Sequence, residues 1–407
     1  MKKFLALILS LIMVLSMVSM ASAEDVELQF VFWEAAQKDG MQAVVDAYEA
    51  AHPGVKITIS VIDWNEYWTK LYAGADAQDM PDVFLMHSNH IFMFAGKGAL
   101  LDLTDLNYDY SPYPAGITAL YNVDGKQLAI PKDYDTIALA YNKEIFDAAG
   151  EAYPDDTWDW AKLKEVAQKL TDPEKGIWGF GAPNEPQLGY LNLIYQNGGI
   201  AYDPITNTCG YNMDETKEAI QFWVDFQNEG ISPTLAQFAE LSNDERFKAG
   251  QEAMTFVGSW LMNSYNDSPV AGKFDLCVLP QGKTRASIYN GLGFAGSAYT
   301  KYPEIVKDFI SFCGTKEANI LAAEKKAAIP AYAGTESYFT DNFKDINIAC
   351  FPEMIAYGVQ YPFSVNKPQW EGTETDLMNA IYAGEISVSD AMDQLYAEIC
   401  EIEGLEP

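Results

Sequence analysis

The stretch Gly125 to Gly150, GKQLAIPKDYDTIALAYNKEIFDAAG, decides the reading of this chain. A short apolar run, Gln127 to Ile130, stops at Pro131. The polar residues Lys132, Asp133, Tyr134, Asp135 and Thr136 follow, and a second apolar run, Ile137 to Tyr141, leads into a helical pattern. Charged side chains are thus set between two pieces of buried sheet. Isolated charges avoid such places unless they are paired or face a polar cavity. The stretch is therefore expected to cross a hinge or line a cleft.

On its N-terminal side, Leu28 to Trp33 reads as a strand. Met41, Val44, Val45 and Tyr48 then fall at i, i+3, i+4 and i+7, the apolar stripe of a helix lying on a sheet. Pro53-Gly54 ends that helix. Val55, Ile57, Ile59 and Val61 alternate with polar residues as a second strand, Asn65 to Ala77 is a second helix, and Pro81 to Met86 is a third strand. Strand and helix alternating in this way signal a parallel, doubly wound α/β sheet. Ligands of such sheets lie beyond the carboxyl ends of the strands. That places Trp33 and Glu34, Asp63 and Trp64, and His87, Ser88 and Asn89 as candidates, each group following directly on a strand.

On the C-terminal side, Trp158 to Leu170 carries Leu163, Val166, Ala167 and Leu170 on one helical face, Glu215 to Asn228 is another helix, and Ala253 to Val257 is a buried strand. Phe274 to Leu279 is expected to be the return hinge. Gly291 to Ala298 and the helix bearing Ile305, Phe309, Ile310 and Cys313 would lie back in the first unit, with a third crossing near Ile329 to Tyr332.

The order of segments resembles extracellular solute-binding proteins of the ABC-transporter type, the carbohydrate-capturing, maltose-type group. The matching pieces are PGVKITISVIDWNEYWTKL (53–71), DMPDVFLMHSN (79–89), the crossover 132–142, YPDDTWDW (153–160), YQNGG (195–199), FKAGQEAMTFVGSW (247–260), FDLCVLPQGK (274–283) and AAIPAYAG (327–334). No one of them is diagnostic; their order is. The resemblance implies an α/β, two-lobed periplasmic-binding-protein-like fold of type II, each lobe a mostly parallel sheet flanked by helices and joined by hinge crossovers. Residues 24–134 with 282–331 would form the N-terminal lobe, and 135–281 with 332–407 the C-terminal lobe. It further implies a small-molecule carbohydrate bound between the lobes, and ABC permease transmembrane subunits with a cytosolic ATPase as partners. The protein is expected to be monomeric and to need no cofactor.

Sugar recognition needs flat apolar faces for the C–H side of a ring and planar polar groups for its hydroxyls. The aromatic candidates are Trp33, Trp64, Trp260 and Trp370, the last two matching cleft tryptophans of the family; core packing is the alternative for each. Among polar candidates, Asp135 stands six residues before Tyr141, where related maltose-type proteins carry a ligand-binding carboxylate. Its alternative is a hinge residue bonded to backbone amides. Lys132 either pairs with Asp133 or reaches the ligand. Ser88 and Asn89 suit helix capping as well. Gln196 and Asn197 precede Gly198-Gly199 and equally suit a helix end. Ser259 stands just past a strand, and Glu34 and Asp63 have solvent exposure as their alternative.

The ends and the composition agree with export. Met1-Lys2-Lys3, the apolar run Phe4 to Val18 and Ala21-Ser22-Ala23 form a secretion signal, residues 1–23, cleaved after a small-residue site; a signal anchor is the alternative. No cysteine follows it for lipid attachment, so the mature chain is expected in a periplasm or at the extracellular surface. Its 384 residues exceed what one core usually supports. Loss of Lys2 and Lys3 takes the net charge from −32 to −34, which disfavours nucleic acid and anionic membrane surfaces. The five cysteines, Cys209, Cys277, Cys313, Cys350 and Cys400, are widely spaced, so at least one is free; a Cys313–Cys350 bridge is left open. His87 and His90 lack a third metal ligand nearby.

Two other functions fit parts of the pattern. An acidic, aromatic cleft would also hold a polyamine. Asp133 and Asp135, about 7 Å apart on an extended strand, have the separation of glycosidase carboxylates, but lie on one side of any scissile bond. No nucleophile elbow or phosphate loop is present, and Gly291-Leu292-Gly293 is too short for a dinucleotide fingerprint.

Overall fold

The computed structural model describes residues 26–203, 206–364 and 366–406; the expected secretion signal lies outside them. A five-stranded sheet has the order Val55–Val61, Val26–Phe32, Val83–His87, Leu292–Gly296, Ile130–Pro131. The first three strands are parallel. Leu292–Gly296 runs against Val83–His87 and Ile130–Pro131. The helix Lys38–Ala51 buries Met41, Val44, Val45 and Tyr48, the stripe read from their spacing. Trp64–Ala77 starts on Asp63, whose side chain accepts the Asn65 amide, and ends at Gln78 in the left-handed region.

The second sheet departs from a mostly parallel plan. Its central strand, Ile137–Asn142, pairs antiparallel with both Met254–Gly258 and Phe274–Cys277. The geometry explains this. The chain enters at Ile137 from the junction and runs away from it, whereas Gly258 lies opposite Ile137, so the partner strand must run back to deliver Ser259 and Trp260 to the cleft. The segment around Trp178 and Gly181 adds parallel bridges to Glu252 and Thr255. The helices Trp160–Leu170, which buries Leu163, Val166, Ala167 and Leu170, and Asp214–Asn228 flank this unit.

Phe274–Cys277 is an edge strand of the second sheet and not the expected return hinge. Ser287–Tyr289 still belongs with the second unit. Ser287 Oγ accepts the Ile137 amide at 2.9 Å, and Asn192 Oδ1 accepts the Ile288 amide at 2.8 Å. The return happens at Asn290 and Gly291. There three segments meet: the Asp135 amide donates to Asn290 O (3.0 Å), Lys132 to Leu292 O (2.8 Å), and Ala331 to Lys132 O (3.1 Å). Backbone pairing across the junction lets the segments twist together while their amides stay satisfied.

All five cysteines are buried and unpaired, so the Cys313–Cys350 bridge does not form. Among the described residues no helix is long and apolar enough to cross a membrane.

Candidate ligand-binding cleft

A cavity of about 420 Å³ opens between the two sheets. The larger sheet contributes Trp33, Glu34, Gln37, Trp64, His87 and Asn89 from the ends of its parallel strands, with Leu292 from the antiparallel one. The smaller unit contributes Glu185, Gln187, Ser259, Trp260 and Tyr361. Asp133, Tyr134 and Asp135 form the base, with Ala328 beside them.

The Trp33 and Trp64 rings stand edge to face, 4.9 Å apart at 80°. Trp68 packs beneath both, and His90 stacks on it at 3.7 Å. This interlocked group holds Trp64 partly exposed, at 39 %, so an apolar face stays available to a ligand. Opposite, Gly258 makes room for Trp260. A Cβ on Gly258 would stand 2.1 Å from the Trp260 ring, so a glycine is required where that ring folds back over the strand end.

Asp135 both ties the crossover together and lines the cavity. Its Oδ1 accepts Gln187 Nε2 at 2.7 Å and the Asn290 amide at 3.1 Å, which ties the crossover to both neighbouring segments. Among the described residues Oδ2 has no partner, and the residue lines the cavity. Burial, reinforced by Asp133, pushes its carboxyl up to about 8. Asp133 is instead fully engaged within the protein: Oδ1 accepts the Leu292 amide at 2.9 Å and Oδ2 pairs with Lys132. Lys132 therefore takes the ion-pair alternative and lies outside the cavity wall.

Asn290 organises the turn after the third strand. Its Nδ2 lies 3.1 Å from His87 Nε2, and Ser88 Oγ donates to its Oδ1. Ser88 is thus a buried support and only His87 and Asn89 of that turn reach the cavity. Burial, with His90 and Lys367 nearby, holds the His87 imidazole down at about 3, so it is neutral, and both ring nitrogens are met within the turn, Nε2 by Asn290 Nδ2 and Nδ1 by the Asn89 amide at 3.3 Å.

Of the remaining candidates, Glu34 lines the cavity and also caps the Ala36 amide. Asp63 is an exposed helix cap outside it. Gln196 and Asn197 end a buried helix. Gln196 bonds Trp160 Nε1 and Ala286 O, and Asn197 bonds Glu215 O, so the helix-end reading holds and neither enters the wall. Trp370 is fully buried in the helix Lys367–Tyr382, its Nε1 donating to Glu403 at 2.8 Å. It packs the core, and Tyr361, nine residues earlier, is the aromatic that reaches the cavity. The Lys367 ammonium lies 4.3 Å from the centre of the Tyr361 ring and supports it from behind.

Besides Tyr361, the residues missed by sequence reasoning are Gln37, Tyr134, Glu185, Gln187, Leu292 and Ala328. Tyr134 stood inside the polar stretch that was read as a cleft. Asn184-Glu185-Pro186-Gln187, a polar, proline-broken link after the small apolar run Gly179 to Ala182, was the available signal for two more.

Residues 34–320 match the family described as bacterial extracellular solute-binding protein. The chain belongs to that family. Among its relatives, the maltodextrin-binding protein MdxE of Bacillus subtilis is 22% identical over 400 residues, covering 94% of this chain and 92% of that protein. The arabinooligosaccharide-binding protein of Halalkalibacterium halodurans is 23% identical over 332 residues, covering 72% of this chain and 69% of the relative. Among solved structures, the ABC substrate-binding protein Lmo0181 from Listeria monocytogenes, in complex with cycloalternan, superposes with a TM-score of 0.86 at 23% identity, over 94% of this chain and 100% of that one. At such identity the structural likeness establishes the fold, which is the two-lobed, type II arrangement of periplasmic binding proteins. Members of the family are binding proteins.

Proposed function

We propose that this family member is the extracytoplasmic substrate-binding component of an ABC importer, that it binds an oligosaccharide between its lobes, and that it performs no chemical step. The observation carrying this is the cavity itself. Aromatic faces stand on both walls, Trp33 and Trp64 on one and Trp260 and Tyr361 on the other, with Asn89, Gln187, Ser259 and Asp135 between them. Apolar faces for ring C–H surfaces with a few placed polar groups are what a pyranose requires. Platforms on both walls suit more than one ring. The names of MdxE and of the arabinooligosaccharide-binding protein point the same way.

Catalysis by the two crossover carboxylates is disfavoured by their bonding. Asp133 has both oxygens occupied by Lys132 and Leu292, so it is not available to share acid and base work with Asp135. The lobes are proposed as the segments expected from the sequence, with the return crossing moved from residue 282 to Asn290. Closing about these crossings would bury the sugar and present a closed shape to permease subunits driven by a cytosolic ATPase. Export by residues 1–23 and a monomeric state belong to the same proposal.

The test is calorimetric titration of residues 24–407 with neutral mono- and oligosaccharides, with small-angle scattering on the best ligand and chromatography of the sugar after overnight incubation. Binding accompanied by a smaller radius of gyration and an intact sugar is expected. Cleaved product would overturn the non-enzymatic reading, and the absence of binding by any glycan would overturn the sugar reading.

A further inference from the structure

The cavity is charged with one sign. Its wall carries Glu34, Asp133, Asp135 and Glu185, and among the described residues lining it none is Lys or Arg. Asp133 is neutralised by Lys132. Asp135 and Glu185 are not. They stand on either side of Gln187, whose side chain donates to Asp135 Oδ1 at 2.7 Å and whose backbone amide reaches the Glu185 carboxylate. Desolvation pushes Asp135 up to about 8 and Glu185 up to about 7, and the groups acting on either include no cation. Two carboxyls facing one cavity without a cation either hold protons or await a positive charge from the ligand.

We infer that the cleft selects a saccharide bearing a free amine, a hexosamine-containing oligosaccharide whose ammonium lies between Asp135 and Glu185, and rejects uronic and phosphorylated sugars. This rests on the sugar-binding reading of the same cavity. An ammonium supplies three donors, and Asp135 Oδ2 is open to accept one. Its charge also suits the faces of Trp33, Trp64, Trp260 and Tyr361. Anionic sugars would find no Lys or Arg among the described residues of the wall to pair with. The neutral groups Gln37, Asn89 and Ser259 favour a sugar over a bare polyamine, whose methylenes could not use them.

The experiment is calorimetric titration of residues 24–407 with matched di- to tetrasaccharides, α- and β-linked, in all-hydroxyl, 2-amino-2-deoxy and N-acetylated forms, together with uronic-acid oligomers and spermidine. Charge-assisted bonds are stronger than neutral ones, so the free-amine form should bind about ten- to hundredfold more tightly than its N-acetylated and hydroxyl counterparts near pH 7 in low salt. It should also release protons, seen as a buffer-dependent heat, because the ammonium displaces the proton from Asp135. Both Asp135→Asn and Glu185→Gln should reduce the preference for amine; the two lie on different segments, so a folding failure in one leaves the other informative. If the hydroxyl or N-acetyl form binds as tightly as the amine, or a uronate binds better, the inference fails while the sugar reading stands. Binding of spermidine alone, or of nothing in the panel, removes both.

Discussion

Replacing Asp135 by Asn isolates one carboxyl and predicts a particular pH signature. In the folded protein the group titrates at about 8 against an ordinary value of 3.8. The folded state therefore binds more protons than the unfolded state between these values, and stability falls as pH rises through that window. At about 1.4 kcal/mol per pH unit, the ceiling is about 6 kcal/mol. Water in the cavity beside the side chain relieves part of the desolvation, so about 3 kcal/mol is the reasonable size. For a chain this long, with about 2.1 cal/mol/K of unfolding entropy per residue, that corresponds to roughly 4 °C in thermal midpoint. The asparagine introduced there carries no charge, and its side-chain oxygen can still accept from Gln187 and the Asn290 amide. The variant and the native protein, scanned without ligand from pH 3.5 to 8.5, should come together at the acid end, below the ordinary value of 3.8, and diverge as pH rises, with the variant more stable by about 4 °C near pH 8.5. Glu185 slopes the same way, but it is present in both proteins and cancels in the difference. Parallel curves across the whole range would show that Asp135 is already ionised at neutral pH, and the burial argument would be refuted.

The two tryptophans should separate. Trp370→Ala should destabilise by about 3–5 kcal/mol and leave the dissociation constant for a bound glycan unchanged, whereas Trp260→Ala should weaken binding with a small change in midpoint; chemical denaturation and calorimetry on each decide it. Asp133→Asn should cost about 3–5 kcal/mol in urea unfolding, because Lys132 is left buried and uncompensated. Gly258→Ala should push the Trp260 ring out of place, with overpacking costing about 1–3 kcal/mol and ligand affinity falling with it. Finally, the five cysteines are buried, so a thiol reagent should label none in the native protein and all five after denaturation.

Local periodicity carried most of the first lobe. The alternation from Val55 to Val61 and the stripe Met41, Val44, Val45 and Tyr48 are consequences of backbone repeat and one-sided burial, and both became the elements they announced. The rule that ligands lie beyond strand ends then placed Trp33, Glu34, Trp64, His87 and Asn89 in the cavity wall. The same rule also named Asp63 and Ser88, which stay out of the wall, and the candidates Trp370, taken from the family resemblance, and Gln196 and Asn197 lie outside it too. A polar or aromatic residue at a helix end has equal reason to cap, to pack or to bind, and its neighbours in sequence do not say which.

Residue periodicity and order were enough to read the class of architecture, the family and the crossover Lys132 to Thr136 as the place where charge enters the core. Folding settled which charges are spent inside the protein and which face the cavity. Asp133 and Asp135 are two residues apart and chemically the same. One is neutralised by Lys132 and the Leu292 amide, and the other keeps an oxygen free because its partners, Gln187 and Asn290, take only one. Glu185, Gln187 and Tyr361 joined them from segments far away in sequence. Contacts between such distant segments form only when the chain folds and the two lobes meet, so no local pattern could encode them.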